Sequence, residues 1–247
     1  MSIENEQDRL GMKRVGRVVR LTLDALEKAV RPGISTGELD AIARQLFAEH
    51  GARSAPAEEY GFPGTVLLSV NDEAVHGIPG ERRLAPGDLV KLDVTAALGG
   101  YVADAARTVV VGVGSPVAHG LQEAARAAFA RALLVARAGN RINEIGRAVE
   151  AEVRARGFHV IPGLEGHGTG RRIHEAPTVS NQYDPRQRER LREGMVLTIE
   201  PIISAGKALP AESDDGWTIR TSDGSLAAHH EHTLIITRGL PVVLTAA

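Results

Sequence analysis

The sequence has no cysteine, no excess of charge of either sign and no apolar run long enough to cross a bilayer. The absence of cysteine excludes disulfides, thiolate catalysis and zinc sites built from cysteine. A formal net charge of −2 excludes the strong positive field with which proteins attract nucleic acids or anionic membranes. The first residues, MSIENEQDRL, are polar and acidic, unlike a signal peptide. We therefore expect a soluble, cytoplasmic protein that binds neither a specific nucleic acid nor a membrane.

Helical spacing of apolar residues predicts two pairs of helices. The first pair covers Leu10–Val30 and a segment that runs from the capping box Ser35–Glu38 to His50. The second pair covers Leu121–Arg137 and Glu144–Arg156. The chain of 247 residues, 43% of them apolar, is long enough for one large domain or two small ones.

The two helix pairs belong to an internal repeat. Arg31, Gly33, Glu38, Leu39 and Gly51 correspond, at one constant offset, to Arg137, Gly139, Glu144, Ile145 and Gly157. Further along, GDLVKLD (87–93) resembles GMVLTIE (194–200), which makes Asp93 and Glu200 equivalent residues. We therefore expect two halves, about 10–112 and 117–243, that share one site within a single domain of residues 1–247.

Two carboxylates, Asp93 and Asp104, lie inside apolar runs that are typical of strands, Leu89–Leu98 and Tyr101–Val111. The dipeptide Gly99-Gly100 between them fits a two-residue hairpin turn, which would place both acids on one face, about 7–8 Å apart. A three-residue loop would place them on opposite faces. Because buried carboxylates repel each other, the pair indicates a cation; the alternative is a solvated edge with two unrelated acids.

Five further acids and histidines lie in apolar or glycine-rich surroundings. His76 precedes a Gly-Ile-Pro-Gly turn, EGHGTGRRIHEAP holds His167 and His174, and Glu200 and Glu231 lie in strand-like runs. A lone histidine of this kind is usually a satisfied surface or core residue, and a lone glutamate is most often solvated. Seven polar residues in such places are improbable as independent accidents. Four carboxylates and an imidazole suit Mn(II), Fe(II) or Co(II) better than structural zinc. Two such ions about 3.5–4 Å apart can activate a water.

Together these motifs resemble the type I methionine aminopeptidases, the short members of the pita-bread metallopeptidases. The matching pieces are VHGIP, LDVT…D, GHGTGRRIHEAP, TIEP, DGWT and EHT, which occur in the family order and cover nearly the whole chain. The resemblance implies an α+β pita-bread fold, in which a curved antiparallel sheet is backed by two helix pairs with pseudo-twofold symmetry. It also implies two divalent ions, cobalt, manganese or iron, held by Asp93, Asp104, His167, Glu200 and Glu231.

The resemblance implies roles for other residues as well. His76 contacts the region of the scissile amide, His174 stabilises the tetrahedral intermediate, and Thr95 supports the ligands of one ion. The implied reaction removes the initiator methionine from nascent proteins, near the ribosome, when the second residue is small. In it a metal-bridging hydroxide attacks the first peptide carbonyl, and Glu200 shuttles the proton.

Four apolar residues are implied to form the pocket for the methionine side chain: Phe62, Leu67, Ile173 and Trp217. The family often has cysteine in place of Leu67 and usually has phenylalanine in place of Ile173, so substrate range depends on these two departures. The usual AQ-x-EHT motif reads AHHEHT here, and His229 replaces the amide. We expect all three departures to leave the metal centre unchanged and to affect substrate range and efficiency. We expect His229, His230 and His232 to be exposed to solvent.

Two other functions stay open. A dipeptidase of the prolidase type fits less well, because the sequence lacks the extra N-terminal domain of that type. A binding module that has lost catalysis also fits less well, because all five implied ligands are present. We expect a monomer.

Overall fold

The computed structural model describes residues 1–246, which contain five α-helices and fifteen β-strands. The helices are α1 (Glu6–Ala29), α2 (Thr36–His50), α3 (Ala55–Tyr60), α4 (Pro116–Leu133) and α5 (Asn143–Ala155). The strands are β1 (Arg53–Ser54), β2 (Leu67–Val70), β3 (Glu73–Val75), β4 (Leu89–Leu98), β5 (Tyr101–Val110), β6 (His159–Val160), β7 (Gly166–Gly168), β8 (Glu175–Val179), β9 (Val196–Ile199), β10 (Ile202–Ser204), β11 (Pro210–Glu212), β12 (Ile219–Thr221), β13 (Ala227–His229), β14 (Glu231–Ile235) and β15 (Val242–Val243). No helix within this range is long and apolar enough to cross a membrane.

Nine strands form one antiparallel sheet. Its path runs β1-β4-β5-β14-β9-β7-β8, with β2 paired to β4 and β15 paired to β14. Two smaller sheets, β13-β10-β6 and β11-β12-β3, contain three strands each. The path places the β4–β5 hairpin beside β14, β9 and β7, which come from the second half of the sequence, and this adjacency creates the site.

Two helix pairs pack on the large sheet through separate apolar cores. The α1–α2 pair buries Leu23 and Leu39 in a cluster that includes Leu92 of β4. The α4–α5 pair buries Leu121 and Ile145 in a second cluster, with residues of β9 and β14. Burial of each helix's apolar stripe against the sheet is the main source of stability for such elements, and both pairs occur where the sequence predicts them.

The observed helix starts are set by capping side chains. The α1 helix begins at Glu6, earlier than the predicted Leu10, because the Asn5 side chain accepts a hydrogen bond from the Asp8 N–H. The α4 helix likewise begins before its predicted start, at Pro116, after the N-cap Ser115. The predicted capping box of α2 is present with both of its hydrogen bonds.

Equivalent glycines of the two predicted halves share a backbone conformation. Gly33 and Gly139, before α2 and α5, have φ values of 88° and 95°. Gly87 and Gly194, before β4 and β9, have φ values of 91° and 86°. Residues other than glycine rarely adopt this backbone conformation, so matching turns explain why glycine recurs at corresponding positions of the two halves.

Candidate active site

One carboxylate or histidine comes from each of five adjacent strands of the large sheet. The five are Asp93 in β4, Asp104 in β5, Glu231 at the start of β14, Glu200 directly after β9, and His167 in β7. All five line one cavity of about 390 Å³. The sheet order therefore brings together all five residues that the sequence assigns to a metal centre.

The β4–β5 hairpin places the first two acids on one face, as predicted. Thr95 pairs directly with Asp104 across the turn Gly99-Gly100, so Asp93, two residues from Thr95, shares its face. The two glycines have φ values of 59° and 81°, as a type I′ turn requires. The two-residue turn is confirmed, and the alternative of acids on opposite faces is wrong.

The carboxylates are buried and lack full hydrogen bonding. Only 6% of Asp104, 8% of Glu200 and 1% of Glu231 is exposed. One buried oxygen each of Asp93, Asp104 and Glu231 has no hydrogen-bond partner among the described residues. Within residues 1–246 the ion pairs of Glu200 and Glu231 are with histidines, never with lysine or arginine. Burial of several unpaired carboxylates costs desolvation free energy. These groups must therefore bind protons or cations in the folded protein.

Burial raises the pKa of all four carboxyl groups. It raises the pKa of Asp104 to about 7 and, together with the charge on Asp104, that of Glu200 to about 8. Burial also raises the pKa values of Asp93 and Glu231, and the neighbouring carboxylates add to the effect. A bound cation reverses this effect, because it stabilises the ionised forms.

The ligand atoms lie close enough to hold cations. Asp104, His167 and Glu231 offer one atom each within 4.8 Å of one another, and so do Asp93, His229 and Glu231. Glu231 belongs to both sets, which suits a carboxylate that bridges two ions. Oxygen ligands with one or two imidazoles are a donor set for divalent first-row metals. The residues present therefore fit a dinuclear metal centre.

Backbone and hydroxyl contacts orient His167. Its Nδ1 lies 2.9 Å from the Gly168 carbonyl oxygen, which leaves Nε2 directed at Glu200 Oε1, 3.4 Å away. The Thr198 hydroxyl accepts a hydrogen bond from the backbone N–H of His167 at 3.0 Å and donates one to Glu200 Oε1 at 2.8 Å. Such contacts fix the ring and its tautomer. Gly168 is required because a Cβ there would lie 2.2 Å from the Ala176 carbonyl oxygen.

The two other predicted histidines line the same cavity. His76 follows β3 with a φ of 61°, and burial lowers its pKa to about 4. The His174 ring lies 4.3 Å from the His167 ring, centroid to centroid, and burial lowers its pKa as well. Burial therefore favours the neutral form of both rings, and a neutral imidazole donates a hydrogen bond from one ring nitrogen and accepts one at the other.

The predicted apolar pocket lies beside the carboxylates. Phe62, Leu67, Ile173 and Trp217 all line the cavity. The rings of Phe62 and Trp217 meet edge to face, 5.2 Å between centroids. Leu67 pairs with Asp93 across β2 and β4, so the apolar residues of the cavity lie directly beside its carboxylates.

Three residues that contact the site were not recognised from the sequence: Tyr60, Thr198 and His229. Tyr60 lies at the end of α3, and its hydroxyl is 2.7 Å from His174 Nδ1. The signal for α3 was the N-cap Ser54 followed by Pro56. Thr198 is two residues before Glu200, so the alternation of a strand places both on one face.

The expectation that three neighbouring histidines are exposed is wrong. His229 is 2% exposed and His232 is 7% exposed, and His230 is half-buried. The reason is strand pairing, because β13 ends with His229 against β10 and β14 contains His232 in the large sheet. His229 lines the cavity, with Nε2 3.6 Å from one oxygen of Glu200 and 3.6 Å from one oxygen of Glu231.

Comparison with known proteins shows the family of this chain. The sequence profile of metallopeptidase family M24 matches residues 11–238. Methionine aminopeptidase 2 of Bacillus subtilis is 44% identical over 247 residues, which cover 99% of each chain. The crystal structure of methionine aminopeptidase from Rickettsia prowazekii superposes with a TM-score of 0.95 at 33% identity, over 100% of both chains.

More distant structures share the fold. The prolidase from Pyrococcus furiosus gives a TM-score of 0.79 at 23% identity and covers 99% of this chain but 65% of that one. The predicted pita-bread fold class and the predicted relationship are confirmed. The chain belongs to metallopeptidase family M24 and is therefore a metal-dependent hydrolase.

Proposed function

We propose that this protein is a dinuclear metal-dependent aminopeptidase, which removes the initiator methionine from nascent chains whose second residue is small. The observation that carries the proposal is the cavity itself. Its one wall holds four carboxylates and His167 from five adjacent strands, and its other wall is apolar. The full-length similarity to chains named methionine aminopeptidase supports the same conclusion.

Asp93, Asp104, His167, Glu200 and Glu231 are the proposed ligands of two divalent ions, cobalt, manganese or iron. The unpartnered buried oxygens of three of these acids support this assignment. When bound, the two ions supply an activated water and stabilise the negative charge that develops on the carbonyl oxygen. Thr95, which pairs with Asp104 in the hairpin, supports the orientation of these ligands.

Glu200 is the proposed proton carrier. Its Oε1 accepts a hydrogen bond from the Thr198 hydroxyl at 2.8 Å. Its Oε2 lies 3.6 Å from His229 Nε2, too far for a hydrogen bond, so it stays available to take a proton from water and deliver it to the leaving nitrogen. The substrate's free amine binds near Asp93, which is less buried than the other three acids. A binding site for a free amine next to the scissile carbonyl explains action at the chain end only.

His174 is the proposed donor to the developing oxyanion. If the Tyr60 hydroxyl donates to His174 Nδ1, 2.7 Å away, then Nε2 carries the proton and is free to donate to the substrate. His76 lies on the same cavity and contacts the scissile amide. Both histidines act on the substrate, so neither is needed to hold the metal ions.

Phe62, Leu67, Ile173 and Trp217 form the proposed pocket for the methionine side chain. An unbranched thioether fits an apolar pocket of this kind. The chain acts in the cytoplasm on N-termini that emerge near the ribosome, as a monomer. Residues 1–247 form one catalytic domain, with halves of about 10–112 and 117–243 that share the site.

One assay tests the proposal. The protein is stripped with a chelator, reloaded separately with Co(II), Mn(II) or Fe(II), and incubated with Met-Ala-Ser; free methionine is measured. We expect release only with metal, and none from the N-acetylated peptide. An Ala-Pro dipeptide distinguishes the prolidase type, because its cleavage without release from Met-Ala-Ser would support that function. No hydrolysis of either substrate with any divalent ion would favour a binding module.

A further inference from the structure

His229 is a buried imidazole without a hydrogen-bond partner. It ends β13, is 2% exposed, and neither Nδ1 nor Nε2 has a partner among the described residues. Buried polar groups in folded proteins are almost always satisfied. An unsatisfied imidazole that lines a cavity therefore indicates a ligand that the ring contacts when the site is loaded.

The ring points at the carboxylates of the proposed metal centre. Its Nε2 lies 3.6 Å from Glu200 Oε2 and 3.6 Å from Glu231 Oε2. These separations are too long for hydrogen bonds. The separation between His229 Nε2 and Glu231 Oε2 approaches the distance of about 3.4 Å between two atoms that bind one ion tetrahedrally with bonds of about 2.1 Å.

A complete set of donors surrounds this position. His229, Asp93 and Glu231 each offer one ligand atom, and the three atoms lie within 4.8 Å of one another. The set contains Asp93 but not His167, whereas the other set contains His167 and Asp104. Each set therefore contains one imidazole and one aspartate, and Glu231 belongs to both sets.

The backbone holds His229 in place. The Thr108 hydroxyl accepts the His229 N–H at 2.8 Å and donates to the His229 carbonyl at 2.7 Å. On its other side the residue pairs with Ile202 of β10. Both edges of the His229 backbone are therefore fixed by hydrogen bonds, which anchors the residue beside the acids.

We propose that His229 is a sixth protein ligand of the metal centre and binds, through Nε2, the ion that Asp93 and Glu231 hold. The inference rests on the proposed dinuclear centre and adds a donor to it. The motif that this sequence resembles has an amide side chain at the position of His229. An imidazole here therefore replaces a side chain that binds metal ions more weakly. Imidazole favours the later first-row ions, so His229 shifts preference from Mn(II) toward Co(II) and Zn(II).

X-ray absorption spectroscopy of the Co(II)-loaded protein tests the inference directly. We expect scattering from two imidazoles per pair of ions in the parent protein and from one in His229→Gln. The matched control is His230→Gln, since His230 lies next in the chain but its ring packs on Phe129, 5.3 Å between centroids. The control should give two imidazoles, as the parent does.

Competition with a chromophoric chelator gives a second readout. In His229→Gln one of the two equivalents of Co(II) should bind about 10–100-fold more weakly, the loss typical of a removed metal-site contact, and Mn(II) should change less. Unchanged Co(II) affinity in the variant, or one imidazole per ion pair in the parent, would overturn the inference while leaving the dinuclear centre intact. A parent protein that binds no divalent ion would instead overturn the proposed function. The parent's own imidazole count decides the matter even if the variant does not fold.

Discussion

Glu231 and Asp104 are the carboxylates whose chemistry matters most at the scale of single residues. Both are almost fully buried, and each has an oxygen without a partner among the described residues. We predict that Asp104→Asn or Glu231→Gln abolishes turnover while the fold is largely kept, because an amide cannot neutralise two cations. Circular dichroism and the rate at saturating metal test this prediction. A rate within tenfold of the parent rate would show that the ligand assignment is wrong.

The histidines that face the substrate should behave differently from the ligands. We predict that His76→Ala or His174→Ala lowers kcat by roughly 10²–10⁴-fold, the range for acid–base and oxyanion groups, and leaves metal content unchanged. Elemental analysis tests the second half of the prediction. Loss of one metal equivalent from His174→Ala would place that residue among the ligands instead.

Replacing Tyr60 tests the role of His174 more finely, because the Tyr60 hydroxyl lies 2.7 Å from His174 Nδ1. We predict that Tyr60→Phe lowers kcat by about 2–13-fold, the value of one hydrogen bond. In the double variant with His174→Ala the tyrosine change should have no further effect, because Tyr60 acts through the ring that is gone. Additive losses would show an independent role for Tyr60.

The turn between β4 and β5 controls the site at the scale of elements. Gly99 has a φ of 59°, and a Cβ added there would meet nothing within 4 Å, so only backbone conformation restricts this position. We predict that Gly99→Val lowers the free energy of unfolding by about 1–2 kcal/mol, whereas Gly99→Asn is nearly neutral since Asn-Gly suits a type I′ turn. Urea denaturation of both variants measures their free energies of unfolding. An equal decrease in the two variants would contradict the turn assignment.

The sequence predicts the elements better than their contacts. Gly99-Gly100 and the alternation around Asp93 were sufficient to predict the hairpin and its shared face, because strand geometry is local. The burial of His229 could not be predicted, because it depends on the pairing of β13 with β10, which joins distant segments. Tyr60 could not be predicted for a similar reason: α3 is too short for a periodic pattern, and the contact of Tyr60 with His174 joins residues 114 positions apart.

At the scale of the whole molecule, one buried lysine should shape stability as a function of pH. Lys91 is 1% exposed, donates to the Asn71 carbonyl at 2.7 Å, and burial lowers its pKa from 10.5 to about 7. Between pH 7 and 10.5 the unfolded chain therefore binds a proton that the folded chain does not, so stability rises with pH across this window.

We predict that Lys91→Met is about 1–4 kcal/mol more stable than the parent at pH 7 and that the difference shrinks as pH rises toward 10. The exposed Lys13 provides the control, since Lys13→Met should leave the pH dependence unchanged. Urea titrations at several pH values measure both. A difference that is constant with pH would show that Lys91 is charged in the folded protein over the whole window.

The central claim is that one cavity combines a metal centre with a pocket for methionine, and the specificity of the loaded enzyme tests it most directly. Leu67 and Ile173 reshape the pocket relative to the usual cysteine and phenylalanine, and an apolar pocket separates side chains that differ by one methylene by only about 1–3 kcal/mol. The measurement is kcat/KM for X-Ala-Ser peptides in which X is methionine, norleucine, leucine or phenylalanine. We expect methionine to be the best first residue, with norleucine or leucine tolerated better than in a typical relative. Leucine or phenylalanine ahead of methionine by tenfold would mean an aminopeptidase of another specificity, and the role in removal of initiator methionine would have to be withdrawn.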